Sequence, residues 1–164
     1  MAYSVRQAMS DDLIEIEKIY ANARAFMASS GNPHQWGNTY PPVGQVVEDI
    51  QKGDLYVVTD DALIHGVFYF FIGPDPTYDE IFEGSWHLDQ PYGTIHRIAG
   101  DGSGGILRTA VAYCRGQIDY LRIDTHADNK VMQRSLTKLG FRRCGIIYIS
   151  DGSPRIAYDW AEMT

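Results

Sequence analysis

Cysteine is scarce in this sequence: Cys114 and Cys144 are the only two in 164 residues, and they form no CxxC pair. Isolated thiols give no disulfide framework and no metal-ligand spacing, so they read as small buried hydrophobes in a reducing compartment, and no metal is expected. Long apolar runs are also missing. The longest, Val67 to Ile72, is far short of the ~20 residues needed to cross a bilayer. The opening Met-Ala-Tyr-Ser soon turns acidic and has no leader pattern, so the expectation is an untargeted cytoplasmic chain without membrane contact. A GKS or GKT sequence is absent, which leaves a P-loop triphosphate site unsupported.

Positive charge is withheld from the middle of the chain. Residues 53–96 carry eight acidic and no Lys or Arg side chains, whereas 1–52 carry six acidic and four basic, and 97–164 seven acidic and ten basic, giving −8, −2 and +3 within a net −7. Without a basic stripe there is little to neutralise phosphates, which argues against nucleic acid. The acidic middle has two readings: attraction for a cationic ligand such as a polyamine, aminoglycoside or lysine-like amine, or a solvated surface that keeps the chain soluble.

What is present is the makeup of one globular domain spanning 1–164, with 45% hydrophobic and 12% aromatic residues. Tyr3–Ala8 reads as a strand, and Ser10 as the N-cap of a helix whose stripe is Ile16, Ile19, Tyr20 and Ala23. Prolines and glycine in NPHQWGNTYPP, residues 32–42, forbid regular structure there, although the segment carries Trp36 and Tyr40. A helix at 43–52, strands at 55–59 and 63–72, and a turn-rich stretch with Trp86 at 74–92 follow. Then come strand 94–99, a helix through Leu107, Ala110, Val111 and Cys114, strand 120–125, a helix through Met132, Leu136 and Leu139, and strands at 141–150 and 155–160. The fold class expected is α/β: a mixed, mostly antiparallel sheet flanked by helices, containing one parallel strand-helix-strand unit.

Between strand 94–99 and its helix lies GDGSGG, residues 100–105. Glycines let a backbone approach a ligand closely, and the first N–H groups of the following helix point at it, so the segment reads as an anion site. Gly100, Gly102 and Gly105 also satisfy G-x-G-x-x-G, with Asp124 ending the next strand, as in an NAD(P)-dependent oxidoreductase. One strand-helix-strand unit between antiparallel segments is too little parallel sheet for that fold.

Three segments, IHRIAGDGSGGILRTAV, LRIDTHADNKVMQRSLTKLGF and CGIIYISDGSPRIAY, together with the upstream QWGNTYPP, resemble the GCN5-related N-acetyltransferase (GNAT) superfamily, in particular a bacterial branch with IHRIA, RIDTH-x-DN-x-x-M and DGSPR-x-AY segments. The resemblance covers nearly the whole chain. It implies acetyl-CoA as cosubstrate, a small-molecule amine as acceptor, and direct transfer in a ternary complex; a homodimer is left open. It further implies that the parallel strands 94–99 and 120–125 splay apart to admit the cosubstrate. Its contacts then fall on Ile98, Ala99 and Gly100, on Gly102, Ser103, Gly104, Gly105, Ile106 and Leu107, and on Asn129 and Met132 of the next helix. Asn129 reads equally as a helix cap. Where the superfamily often places a proton-donating tyrosine, this chain has Leu136, which keeps a noncatalytic acyl-CoA-binding module as an alternative.

Acyl transfer to an amine needs a base, because a free alkylamine has a pKa of roughly 10. His96, on one strand face with Thr94 and Ile98, is one candidate, with a structural hydrogen-bonded histidine as the other reading. Asp124 is a second, or else pairs with Arg122 while His126 positions a helix start. Tyr148 is a candidate proton donor, or core. N–H groups at Ile98–Gly100 suit a developing oxyanion. Trp36, Tyr40 and Trp86 either line the acceptor site or anchor their loops.

Overall fold

A computed structural model describes residues 2–162. In chain order these form β1 (Ser4–Gln7), a 3-10 turn (Ser10–Asp12), α1 (Leu13–Ser29), α2 (Val43–Lys52), β2 (Leu55–Thr59), β3 (Ile64–Ile72), a 3-10 turn (Pro76–Tyr78), β4 (Gly93–Gly100), α3 (Ile106–Arg115), β5 (Tyr120–Thr125), α4 (Lys130–Lys138), β6 (Arg142–Tyr148) and β7 (Pro154–Ala161). The seven strands make one sheet in the order β1-β2-β3-β4-β5-β7-β6. Only β4 and β5 are parallel; every other neighbouring pair is antiparallel. An oxidoreductase fold with several parallel strands is therefore ruled out. No helix among the described residues is long and apolar enough to cross a membrane.

Alternation along the strands divides the core. One face carries Val58, Phe68, Phe70, Ile95, Ile123, Ile156 and Tyr158, packed under α3 and α4 through Ile106, Ala110, Cys114 and Leu136. The other face has two separate covers. Helices α1 and α2 lie over β2–β4, burying Ile16, Tyr20 and Val46 on Leu55, Val57, Val67 and Ala99. The turn-rich segment 74–92 lies over β5–β7, burying Tyr78 and Tyr92 against Tyr120, Cys144, Ile147 and Ala157. Between these covers the sheet is bare above the β4–β5 junction, and that vacancy becomes the cleft.

Local chemistry explains the element ends. Pro41 and Pro42 set up the start of α2, and Gly53, left-handed at φ 76°, closes it. The expected Ser10 cap does not form; instead the Asp12 carboxylate accepts the Met9 N–H at 2.8 Å and grips Arg6 with both oxygens.

Candidate active site

The parallel ladder is short. It pairs Gly93 with Leu121 and Thr94 with Arg122, then stops. Beyond that point β4 and β5 diverge, so the facing main-chain groups of β4 from Ile98 onward have no strand partner on that side. A β-bulge in β4 adds to this: Val67 pairs with Ala99 but Tyr69 with His96, so two residues of β4 oppose Phe68 alone. Arg97 takes the strain, with φ 50°. The consequence is that His96 and Arg97 share one sheet face, where both lie on the Tyr69 ring, while Ile98 turns to the other face. The expected common face of His96 and Ile98 is thus corrected by the bulge.

At the C-terminal end of β4 the glycine loop is open. Gly102, Gly104 and Gly105 have φ of 90°, 89° and 79°, and a Cβ added at Gly102 or Gly104 would meet nothing within 4 Å. No side chain caps α3, whose first internal bond is Thr109 N–H to Gly105 O at 3.0 Å, so the N–H groups of Ile106, Leu107 and Arg108 have no helical acceptor. Side chains hold the loop from behind. The Asp101 carboxylate accepts the Ser103 N–H at 3.0 Å and its hydroxyl, and Tyr3 donates to Gly104 O at 3.0 Å. His65, buried, places Nδ1 at 2.7 Å from Asp101 and Nε2 at 2.7 Å from Asp60. Ile106 plugs into space that a Cβ at Gly66 or Gly100 would fill.

A cleft of about 500 Å³ lies over the diverging strands. It brings together His96, Asp124, Trp36, Tyr40, Ile98, Asn129 and Met132, with Asp75, Thr77, Arg97 and Arg155. His96 Nε2 lies 2.5 Å from Asp75 Oδ2, and Nδ1 lies 3.8 Å from Asp124 Oδ2. The same Asp124 oxygen accepts the Tyr78 hydroxyl at 2.7 Å. Burial raises the Asp75 pKa, but the hydrogen bond and charge of His96 and two bonds from Thr77 outweigh it and bring it to about 2. Burial, with the charge of Asp124, holds the Tyr78 hydroxyl far above its ordinary range. Arg97 is neutralised by Asp49 at 2.9 Å and donates to the Tyr40 hydroxyl at 3.2 Å. Gln35 ties the aromatic loop down: its Oε1 accepts from Asn129 Nδ2 at 3.1 Å and from Asn32 Nδ2 at 2.8 Å.

No protein-family model and no curated protein matches the chain. Solved structures do. An acetyltransferase of the GNAT family from Streptococcus agalactiae is 29% identical, with 99% of this chain and 96% of that one covered and a TM-score of 0.88. The chain has the fold of the GNAT-family acetyltransferases, and this likeness marks it as an acyltransferase. A GNAT-family acetyltransferase from Listeria monocytogenes shares the fold at 18% identity, covering 98% and 95% of the two chains with a TM-score of 0.72. So does YncA of Salmonella typhimurium, solved with acetyl-CoA, at 13% identity, 98% and 94% coverage and a TM-score of 0.63.

In this acyltransferase some expected site residues stand elsewhere. Tyr148 is on the edge strand β6, 45% exposed, and packs edge-on to Phe82 away from the cleft. Trp86 does not line the cleft either; it donates Nε1–H to Tyr78 O at 3.0 Å and lies under the Arg122 guanidinium. Arg122 accordingly does not pair with Asp124: it sits over Trp86 and Tyr92 and donates to Leu88 O at 2.9 Å. His126 does support the helix start, accepting the Asp128 N–H at 3.0 Å, and Asn129 caps α4 through Met132 N–H at 3.1 Å. Ala99 and Ile106 are buried, so they offer the site main chain only. Asp75, Tyr78, Arg97 and Arg155 are cleft-building residues that sequence reading missed; of these, Arg97, inside the IHRIA segment, and Arg155, inside the DGSPR-x-AY segment, carried a signal.

Proposed function

We propose that the protein transfers an acetyl group from acetyl-CoA to the primary amine of a small molecule by direct attack in a ternary complex, the whole chain acting as one domain. The observation that carries this reading is a juxtaposition: the only parallel strand pair among the described residues stops after two residue pairs, and an uncapped helix N-terminus behind an open glycine loop stands at its diverging end. Such a loop suits a diphosphate, because main-chain N–H groups and the positive end of the helix dipole converge on it. Bound there, acetyl-CoA supplies an acyl group already activated as a thioester.

The N–H groups of Ile106, Leu107 and Arg108 hold the diphosphate, and Gly102, Gly104 and Gly105 keep its approach clear. Ile98, Asn129 and Met132 flank the thiol-bearing arm. His96 handles the proton. With Nε2–H donated to Asp75, Nδ1 is left as the acceptor on the side of Asp124. The ionised Asp75 holds this tautomer and stabilises the imidazolium once Nδ1 has taken the proton of an incoming ammonium. His96 is also the group that can return that proton to the departing sulfur, since Leu136 is wholly buried and Tyr148 lies outside the cleft. Trp36 and Tyr40 wall the acceptor side. No acyl-enzyme is needed: burial raises both thiols, Cys114 and Cys144, and neither lines the cleft.

The test pairs calorimetric titration against acetyl-CoA and NADPH with a thiol-release assay over a panel of amines. Acetyl-CoA binding together with thiol release for at least one amine is expected. Binding without release across the panel reduces the protein to an acyl-CoA module, and NADPH binding without acetyl-CoA binding overturns the reading.

A further inference from the structure

One cation in the cleft forms no ion pair among the described residues. Arg155, near the start of β7, is 5% exposed and lines the cleft. Its Nη1 donates to Ser153 Oγ at 3.1 Å and to Pro154 O at 2.8 Å, and its Nη2 to Gln35 O at 3.3 Å. All three acceptors are neutral. Among the described residues no carboxylate oxygen lies within 4.0 Å of this guanidinium, in contrast to Arg97, which Asp49 neutralises. A buried charge without its opposite costs free energy that a ligand of the right sign recovers.

The nearest acids are committed elsewhere. Asp124 pairs across the sheet with Ala157, so it and Arg155 are diagonal neighbours on one face, yet its Oδ2 receives the Tyr78 hydroxyl and faces His96. Asp151 closes its own turn, accepting the Ser153 N–H at 2.9 Å and the Ser153 hydroxyl. The cleft therefore carries both signs close together: Asp75 and Asp124 beside His96, and diagonally across from Asp124 a guanidinium that no carboxylate contacts.

Resting on the acetyl-transfer reading above, we infer that Arg155 receives a carboxylate of the acceptor, so that the substrates are amines which also carry a carboxylate, amino acids and their close relatives. The ammonium end then faces Asp124 and His96 and the carboxylate end faces Arg155. A polyamine would set a second ammonium against the guanidinium. A phosphate dianion would face one guanidinium with Asp124 and Asp151 nearby, a worse match than a monoanion. From the acidic middle of the chain Asp75 reaches the cleft, where it is bound to His96 at the ammonium side, while Asp79, Glu80, Glu83 and Asp89 are exposed and do not line it.

The experiment measures thiol release from acetyl-CoA with matched acceptors: amino acids, their amides, their decarboxylated amines, phosphoethanolamine and polyamines, using the wild-type chain, Arg155→Gln and Arg155→Lys. A charge-assisted pair corresponds to roughly a 10- to 100-fold difference in KM. The expected result is a KM for amino acids lower than for their amides by that factor, a preference that Arg155→Gln abolishes and Arg155→Lys partly restores, with the KM for acetyl-CoA unchanged. If Arg155→Gln does not fold, the wild-type comparison of acids with amides decides alone. Equal use of acids and amides, or preference for polyamines or phosphoethanolamine, overturns the inference and leaves acetyl transfer standing. Release with no amine at all overturns both.

Discussion

His96 and Asp75 meet at 2.5 Å across the mouth of the β4–β5 gap, although they stand 21 positions apart in sequence. A strand residue is thereby given a carboxylate partner on its outer nitrogen, while its inner nitrogen is left to the cleft. The arrangement has the geometry of a base and its orienting group.

Removing the base is expected to lower kcat by roughly 10²- to 10⁴-fold in His96→Ala, with the KM for acetyl-CoA unchanged. Asp75→Asn should lower kcat in the same direction, and the double variant should lose no more than His96→Ala alone, because two residues acting as a unit are not additive. Steady-state kinetics on the three variants checks this; additive losses would separate Asp75 from the mechanism.

The glycine loop is tethered by a group that titrates. With both ring nitrogens of His65 against carboxylates, hydrogen bonds from both require the imidazolium, and the bonds to Asp60 and Asp101 raise the His65 pKa despite some burial. A pKa raised on folding contributes stability that is complete below the ordinary value of about 6.5 and is lost as pH rises through the folded value. The expected outcome is weaker protection of the Ser103 amide and weaker acetyl-CoA binding as pH rises above neutrality, a dependence flattened in His65→Asn. Hydrogen exchange and calorimetry at a series of pH values test it. Identical pH dependence in both proteins contradicts it.

Gly105 has φ 79° and only the Tyr3 ring near its missing Cβ, at 3.5 Å. A side chain there is strained by its backbone and stands beside the anion site. Gly105→Glu should lose at least about tenfold in acetyl-CoA affinity, some 1.4 kcal/mol, and Gly105→Ala clearly less, since it adds strain without charge. Calorimetry on folded variants decides; equal affinity in Gly105→Glu and wild type counts against the loop.

Two tyrosine positions test where an acid is not. Leu136 is fully buried beneath the sheet, so Leu136→Tyr overpacks the core and costs roughly 1 to 3 kcal/mol without raising kcat. Tyr148→Phe should leave kcat unchanged, as that ring packs on Phe82 outside the cleft. Thermal denaturation and turnover measure both, and a large kcat loss in Tyr148→Phe would return Tyr148 to the site.

Much of the fold was legible because local signals agreed with it. Val43–Lys52 and Tyr120–Thr125 have the bounds read from the sequence, since prolines and Gly53 punctuate the first and a β-branched, aromatic run fills the second. GDGSGG announced a helix start by composition. The cleft's inner wiring was not legible, for physical reasons. No glycine or proline marks the bulge that puts Arg97 at φ 50°. Arg122 leaves Asp124 for Trp86 and Tyr92, which arrive from a segment with no regular period. Asp75, in an irregular segment, gave no sign that it would reach His96 rather than solvent.

The central claim is that main-chain amides between Gly102 and Arg108 hold the diphosphate of a cosubstrate whose arm enters the gap between β4 and β5. A crystal structure of the protein with CoA tests it most directly. The account predicts diphosphate oxygens within hydrogen-bond reach of the Ile106, Leu107 or Arg108 N–H groups and the sulfur near His96. A CoA bound elsewhere, or β4 and β5 paired along their whole length, would contradict it.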